Sequence, residues 1–279
     1  MNLPPVLTIA GSDSSGGAGI QADLKTFTAL GVYGMSALTA LTAQNTLHVT
    51  RVLLLPPDFL QAQLEAIWED IPPVVVKTGM LGSSALIQTV RAFLRERAAG
   101  IPWVVDPVLV ATSGARLLEE AAQGELLELC AEATVVTPNL PEAAALAHRP
   151  EPSSEEEAFS LGRELSTHYP HPYWLLKGGH ASWEKHTLTS WVFKGGRLVQ
   201  RFVQNRLPLP RPPHGTGCTL ASAIAAYIAR GEAPLVAIGA ALDFVHRALA
   251  AAPPLGKGAL LLNPLTASLA PTAPPHARA

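Results

Sequence analysis

A chain of 279 residues with 48% hydrophobic and 15% charged residues holds enough apolar material for one large core, which excludes disorder of the whole chain. A formal charge of −2 without a basic stripe excludes strong electrostatic attraction to nucleic acid or an anionic membrane. Two cysteines, Cys130 and Cys218, cannot build a disulfide framework, and no CxxC or Cys/His cluster points to structural zinc.

The N-terminus, Met1-Asn2-Leu3-Pro4-Pro5, lacks the basic start and apolar core of a signal peptide. Short β-branched runs then alternate with helix-like segments, the pattern of a parallel sheet covered by helices. Strands are expected at 6–9, 74–76, 103–105, 134–136 and 174–176, with a further apolar run at 34–43 read as a strand. The first five are continuously apolar, so both faces of the sheet are expected to be buried. Helices are expected at 18–30, 58–69, 84–98, 155–167, 219–229 and 235–250, and a hairpin at 189–203 turns on Lys194-Gly195-Gly196. Cys130, in Leu-Leu-Glu-Leu-Cys-Ala, is expected in the core. Gly, Pro or charge breaks every apolar stretch before about 18 residues, so no membrane span is expected and a reducing cytoplasm fits. One α/β domain over 1–264 is expected, with 265–279 a disordered Pro/Ala-rich tail.

Ligands of open α/β sheets bind beyond the carboxyl ends of the strands. There the chain places Gly11-Ser12-Asp13, Lys77, Asp106-Pro107, Thr137-Pro138-Asn139 with Glu142, and Lys177-Gly178-Gly179. Lysines facing carboxylates suit a site for phosphate and a hard divalent cation. Asp106 either supports such a metal or holds the turn before Pro107, and Lys77 stays open between fold and site. The first glycine-rich loop, 11–19, follows a strand and opens a helix, yet meets neither the Walker A template, which needs a lysine where Gly17 stands, nor a dinucleotide fingerprint. The second, His214-Gly215-Thr216-Gly217-Cys218, leads straight into a small-residue helix. Its amides and the helix dipole suit the oxygens of a transferring phosphoryl group. His180 and His214 flank glycine turns and read as loop anchors.

Residues 8–46, TIAGSDSSGGAGIQADLKTFTALGVYGMSALTALTAQNT, closely resemble the opening of the hydroxymethylpyrimidine/phosphomethylpyrimidine kinases of the ribokinase superfamily. The resemblance continues through KTGMLGS (77–83), VVDPVLVATSG (104–114), TPNLPEA (137–143), LLKGGH (175–180) and HGTGCTLASAIA (214–225). It implies a three-layer α/β/α ribokinase-like fold with a central, mostly parallel sheet, binding ATP and Mg²⁺. Such enzymes phosphorylate 4-amino-5-hydroxymethyl-2-methylpyrimidine and then its monophosphate, giving the diphosphate used in thiamine assembly. Carried over, Gly215, Thr216 and Gly217 form the anion hole and Cys218 stands where most ribokinase relatives place an aspartate base. Gln44 matches the pyrimidine-contacting glutamine, with Gly11, Asp23, Met80 and Val108 around the substrate. Asn139 and Glu142 match the Asn-x-x-Glu element that organises Mg²⁺, beside Asp106. Lys177, with Thr216, Gly217 and Asn139, serves the nucleotide phosphates. Relatives often dimerise, and the 34–43 run is a candidate for such an interface.

A glutamine offers a carbonyl acceptor beside an NH₂ donor, so Gln44 can pair twice with an aminopyrimidine edge. A thiol titrates near 8.5 and a helix N-terminus lowers it, so Cys218 could take the hydroxyl proton, although phosphoryl transfer gains mainly from positioning and charge neutralisation. Pro212-Pro213 replaces the family's Asn-Thr and removes two amide donors ahead of the anion loop. With Thr187 offered where relatives carry an acidic residue, the nucleotide contacts across 181–213 stay unassigned. Two rival readings remain: a vitamin B6 kinase of the same fold, whose substrate also bears a hydroxymethyl group, and a non-catalytic pyrimidine or nucleotide binder. A fused thiamine-phosphate synthase module is not expected.

Overall fold

The computed structural model describes residues 3–110, 114, 117–181 and 183–269. The main sheet has nine strands. They are β1 (Pro5–Asp13), β2 (Tyr33–Gln44), β3 (Val49–Leu54), β4 (Val75–Thr78), β5 (Trp103–Val105), β6 (Val135–Val136), β7 (Tyr173–Lys177), β8 (Thr187–Lys194) and β9 (Arg197–Asn205). Their order is β3-β2-β1-β4-β5-β6-β7-β8-β9. The run from β2 to β7 is parallel throughout. Antiparallel β3 closes one end, and β8 and β9 close the other. A two-stranded parallel pair, β10 (Pro213–His214) and β11 (Leu260–Leu261), stands apart. The helices are α1 (Gly19–Ala29), α2 (Pro57–Asp70), α3 (Ser84–Arg97), α4 (Gln123–Glu132), α5 (Leu140–Leu146), α6 (Glu155–His168), α7 (Thr216–Ala229), α8 (Pro234–Ala250) and α9 (Pro264–Leu269).

Strand side chains alternate between faces, so each apolar run feeds two cores at once. Leu7, Ile9, Val76, Val105, Val136, Trp174 and Leu176 pack under α2 to α6. Val6, Val75, Val104, Val135 and Leu175 pack under α1, α7 and α8. Full burial of one such side chain is worth about 1.5–3 kcal/mol, and the layers are held by that sum. The same parity puts Thr8 and Lys77 on the α1/α7 face, where both bond to Asp23 of α1.

The three-layer expectation holds, and all five expected core strands and the hairpin appear. Cys130 is fully buried. Three differences have physical causes. Helix α7 begins at Thr216 rather than 219, because Gly215 adopts a left-handed φ of 81° that turns the chain into the helix within the glycine loop itself. Helix α5 was not expected, yet Asn139 and Glu142 form a reciprocal capping box at its start. The segment 265–279 does not begin as a tail: Pro264–Leu269 is helical and Ala267 is buried against α8. Residues 111–113 of the 104–114 block and 270–279 of the expected tail lie outside the described residues.

Gly162 in α6 shows how tightly the first layer meets the sheet. A Cβ there would lie 2.3 Å from the Phe193 ring of β8. Gly162→Ala is expected to lower stability by about 1–3 kcal/mol despite alanine's better helix propensity. Gly124→Ala in α4, where nothing lies within 4 Å, is expected to be neutral or stabilising by up to about 1 kcal/mol. Urea unfolding of the two variants checks the opposite signs.

Candidate active site

The first glycine-rich loop is wound around one carboxylate. Asp13 Oδ1 accepts from the Ser15 amide at 2.8 Å and the Ser15 hydroxyl at 2.7 Å. Its Oδ2 accepts from the Ala18 amide at 2.8 Å and the Gly17 amide at 3.2 Å. Burial works to raise the Asp13 pKa, but hydrogen bonds from His214, Ser15 and Ala18 outweigh it and bring the carboxyl down to about 2.

The loop so shaped lies directly against the second. A Cβ at Gly215 would fall 1.9 Å from the Gly17 carbonyl oxygen, so the two backbones are in contact. Pro212 has no amide to give, but its carbonyl accepts from Leu260 at 2.9 Å, which straps the approach to the loop onto β11. No side chain caps α7, so its first-turn amides are left for an anion, and the dipole favours one there.

A charged rim borders these amides. A Cβ at Gly217 would lie 3.2 Å from Asp106 Oδ2 and 3.4 Å from Lys177 Nζ. Lys177 donates to Asp106 Oδ1 at 3.0 Å and stands 3.8 Å from Glu142 Oε2, while Thr137 donates to Asp106 Oδ1 at 2.8 Å. Burial opposes the Lys177 charge, yet Asp106 and Glu142 prevail and raise its pKa. Burial pushes Glu142 up to about 7, against the pull of Lys177. Asn139 Oδ1 accepts from the Glu142 amide at 2.8 Å and Glu142 Oε2 accepts from the Asn139 amide at 2.8 Å. The Asn139 side chain is thus committed to orienting Glu142. Among the described residues no group of three or more His, Cys, Asp or Glu could hold a metal. Two carboxylates beside the uncapped start of α7 do fit Mg²⁺, which keeps waters and takes phosphate oxygens with one or two carboxylates.

Beneath the rim lies a buried ion pair. Lys77 Nζ meets Asp23 Oδ2 at 2.8 Å, both fully buried. Thr8 donates to the same oxygen at 2.7 Å and Ser222 of α7 donates to Asp23 Oδ1 at 2.6 Å. Asp23, expected beside the substrate, is instead used up inside the α1/α7 layer. Burial raises the Cys218 thiol to about 11, although Lys77 pulls it down. The lowering expected from the helix N-terminus is therefore reversed, because desolvation of the thiolate outweighs it.

Gln44 ends β2 beside this assembly. Its Nε2 lies 3.0 Å from His214 Nε2, and His214 Nε2 lies 3.1 Å from Asp13 Oδ2. Gly11 and Met80 are neighbours, since a Cβ on Gly11 would meet Met80 Sδ at 3.1 Å. The half-buried Val108 follows Asp106, whose carbonyl accepts its amide at 2.9 Å. On the outer side of Gln44 a cleft of about 330 Å³ is lined by residues 44–48, 211–212, 214 and 257–259. The structure thus joins Gln44 to the anion loop and the loop to Lys177, Asp106 and Glu142. Asp13 was placed at the strand-end rim, but its role as the centre of the first loop, and His214 as more than an anchor, were missed. Asp13's spacing two residues before Ser15 was the only local signal for its turn. In the 181–213 stretch Glu184 accepts from the Thr189 amide at 2.7 Å and from the Thr189 hydroxyl, a structural use.

Lys77→Met leaves Asp23 as a lone buried charge and is expected to cost about 3–5 kcal/mol in denaturant unfolding, with Asp23→Leu in the same chain restoring part of it. Because the folded Asp13 value of about 2 lies below the ordinary 3.8, its stabilisation is complete above pH 4 and is lost as pH falls towards 2. Asp13→Asn is expected to lower stability at neutral pH and to flatten the stability–pH curve over that acid window, read by melting at stepped pH.

The sequence matches the phosphomethylpyrimidine kinase family over residues 13–263. It is 47% identical over 257 residues to the thiamine biosynthesis bifunctional protein ThiED of Geobacter sulfurreducens, covering 91% of this chain but only 50% of that protein. It is 45% identical over 247 residues to the hydroxymethylpyrimidine/phosphomethylpyrimidine kinase of Rhizobium meliloti, covering 88% of this chain and 90% of that one. Among solved structures it is similar to the pyridoxal kinase of Staphylococcus aureus in complex with pyridoxal, with a TM-score of 0.85, 32% identity and 95% of each chain covered. A match of this extent over the glycine loops, the charged rim and Gln44 alike leaves one conclusion: the chain belongs to the phosphomethylpyrimidine kinase family.

Proposed function

We propose that the chain transfers the γ-phosphoryl group of ATP to the hydroxymethyl oxygen of 4-amino-5-hydroxymethyl-2-methylpyrimidine, and then a second one to the resulting monophosphate. The observation that carries this is the contact between loops. The residue that opens the anion loop, His214, touches Gln44 at 3.0 Å, while Gly217 two residues into α7's first turn borders Lys177 and Asp106. Acceptor recognition and phosphate stabilisation therefore share one wall.

In this reading Gln44 pairs with the amino group and ring nitrogen, and Met80 lies against the ring. The amides of Gly215, Thr216 and Gly217 face the charge that develops on the phosphoryl oxygens, and Lys177 adds a cation there. Asp106 and Glu142 would hold Mg²⁺, with Asn139 orienting Glu142; when bound, the ion supplies further neutralisation of phosphate charge. The new O–P bond forms as the bond to the ADP oxygen breaks, and the hydroxyl proton leaves the acceptor. Cys218, a neutral thiol with its pKa near 11, does not collect that proton as a ready thiolate. A loose transition state needs little help from a base.

The TM-score of 0.85 to a pyridoxal kinase favours vitamin B6 as a second substrate class. Product analysis by mass after incubation with ATP, Mg²⁺ and the hydroxymethylpyrimidine is expected to show one and then two added phosphoryl groups. No product from the pyrimidine beside ready phosphorylation of pyridoxal would move the second reading ahead. Cys218→Ser is expected to keep single-turnover transfer within about tenfold, whereas Lys177→Met is expected to lose about a hundredfold or more.

Two further parts belong to the same reading. A second copy of the chain covers the edge strand β3 and the turn before it, where Val52, Leu53, Leu54 and Leu47 are exposed. Sedimentation at working concentration is expected to give a dimer, and a monomer alone would remove that part. Both cysteines are free thiols, which suits a reducing cytoplasm. Among the described residues no helix is long and apolar enough to cross a membrane.

A further inference from the structure

Asp13, His214 and Gln44 form a line of contacts whose hydrogens the reading above leaves unassigned. His214 Nε2 lies 3.1 Å from Asp13 Oδ2 and 3.0 Å from Gln44 Nε2, with His214 and Asp13 both buried. The Asp13 carboxyl, held near 2, is ionised around neutral pH and has no proton to give. The hydrogen between Asp13 and the ring must therefore sit on His214 Nε2, whether the imidazole is neutral or charged. An N–H on that nitrogen then faces a second donor, the Gln44 NH₂. Two donors held within hydrogen-bond distance repel, and the buried His214 N–H does not persist in such a mismatch.

Half a turn of the Gln44 amide removes it, exchanging two atoms of nearly equal size without moving the side chain. The amide oxygen then accepts from His214. The amide nitrogen then faces Thr42 Oγ1, which lies 3.2 Å from that end of the amide. Thr42 gives its own hydrogen to the Ser12 carbonyl at 2.8 Å, so its oxygen is open to accept. The single Nε2–H is then shared between Asp13 and Gln44, and one amide hydrogen goes to Thr42.

We propose that His214, held by Asp13, is a positioning residue that fixes which way round the Gln44 amide faces the substrate, and so which face of the aminopyrimidine ring enters. The identity of the ligand rests on the kinase reading; the orientation of the amide rests on the protein's own contacts. An aminopyrimidine of this kind has one edge where an exocyclic NH₂ stands beside a ring nitrogen, and the hydroxymethyl group lies next to that NH₂. With the Gln44 carbonyl on the His214 side, the amino group and its hydroxymethyl neighbour fall on that side too, towards Gly215 and the anion loop. The reversed amide would accept the ring only when turned over, which carries the hydroxyl away from the loop.

Two variants of the full-length enzyme test this. His214→Gln keeps an N–H donor at similar reach; His214→Leu removes it. Steady-state kinetics compare the hydroxymethylpyrimidine with the analogue lacking its 4-amino group. The unaltered enzyme is expected to prefer the amino substrate by roughly ten- to a hundredfold in kcat/KM. His214→Leu is expected to lose most of that preference, chiefly in the KM for the pyrimidine, with the KM for ATP unchanged. His214→Gln is expected to retain it, and His214→Leu is expected to add little on a Gln44→Leu background. Nitrogen-15 NMR of the ligand-free enzyme is expected to show a protonated His214 Nε2. Equal slowing of both substrates with the preference intact, additive effects with Gln44→Leu, or an unprotonated Nε2 would each overturn the proposal. An enzyme that leaves the pyrimidine untouched would sink the kinase reading alone, because the NMR result still decides the amide.

Discussion

The site depends on a place where two turns of backbone touch. Gly17 offers a carbonyl and Gly215 offers a Cα without a side chain, and any Cβ at 215 would stand 1.9 Å from that oxygen. Gly215 also needs its left-handed φ of 81° to start α7 where it does. Because α1 and α7 both begin at this contact, two helix N-termini and two glycine loops face one small volume. Separating the loops by one methyl group would move the anion-binding amides relative to Gln44. That displacement is the scale on which transfer geometry is lost.

What keeps the contact in register lies underneath it. Lys77 crosses from β4 into the α1/α7 layer, and Asp23 of α1 receives hydrogen bonds from Lys77, Thr8 and Ser222 together. A buried ion pair of this kind adds little net stability, since desolvation offsets its attraction. Its value is geometric, for it admits one relative placement of β1, β4, α1 and α7. The upper rim works differently. Lys177, Asp106 and Glu142 are only loosely matched, with Lys177 shared between two carboxylates at 3.0 and 3.8 Å. Such a cluster can exchange partners when phosphates arrive.

The five central strands β1, β4, β5, β6 and β7 were legible because each carries a short apolar run, as a doubly covered parallel sheet requires. The second glycine loop could be read as a helix start because its glycines lead straight into small residues, but its contact with Gln44, 170 residues away, had no local signal. The roles of Asp23 and Lys77 were not legible, since their partners stand 54 residues apart and Ser222 is 199 residues from Asp23, with no local pattern linking them. The direction of the Cys218 shift was not legible for an electrostatic reason: the helix terminus and Lys77 favour a thiolate, and burial costs it more. Asn139 and Glu142 show one spacing with two meanings, a metal element and a helix cap. β3 escaped notice because five of its six residues are exposed and its pairing is set by β2.

The strap over the first loop also orders events in time. Leu260 holds the Pro212 carbonyl, Ala259 and Gly258 hold Thr46, and Leu261 presses on Gly17. The contacts to Thr46 and Gly17 join residues made early in translation to residues made more than 200 positions later. A nascent chain can stack its central sheet while still on the ribosome, yet its catalytic cleft stays open until this distal segment emerges. Closing this wall of the site is therefore among the last steps in the chain's assembly.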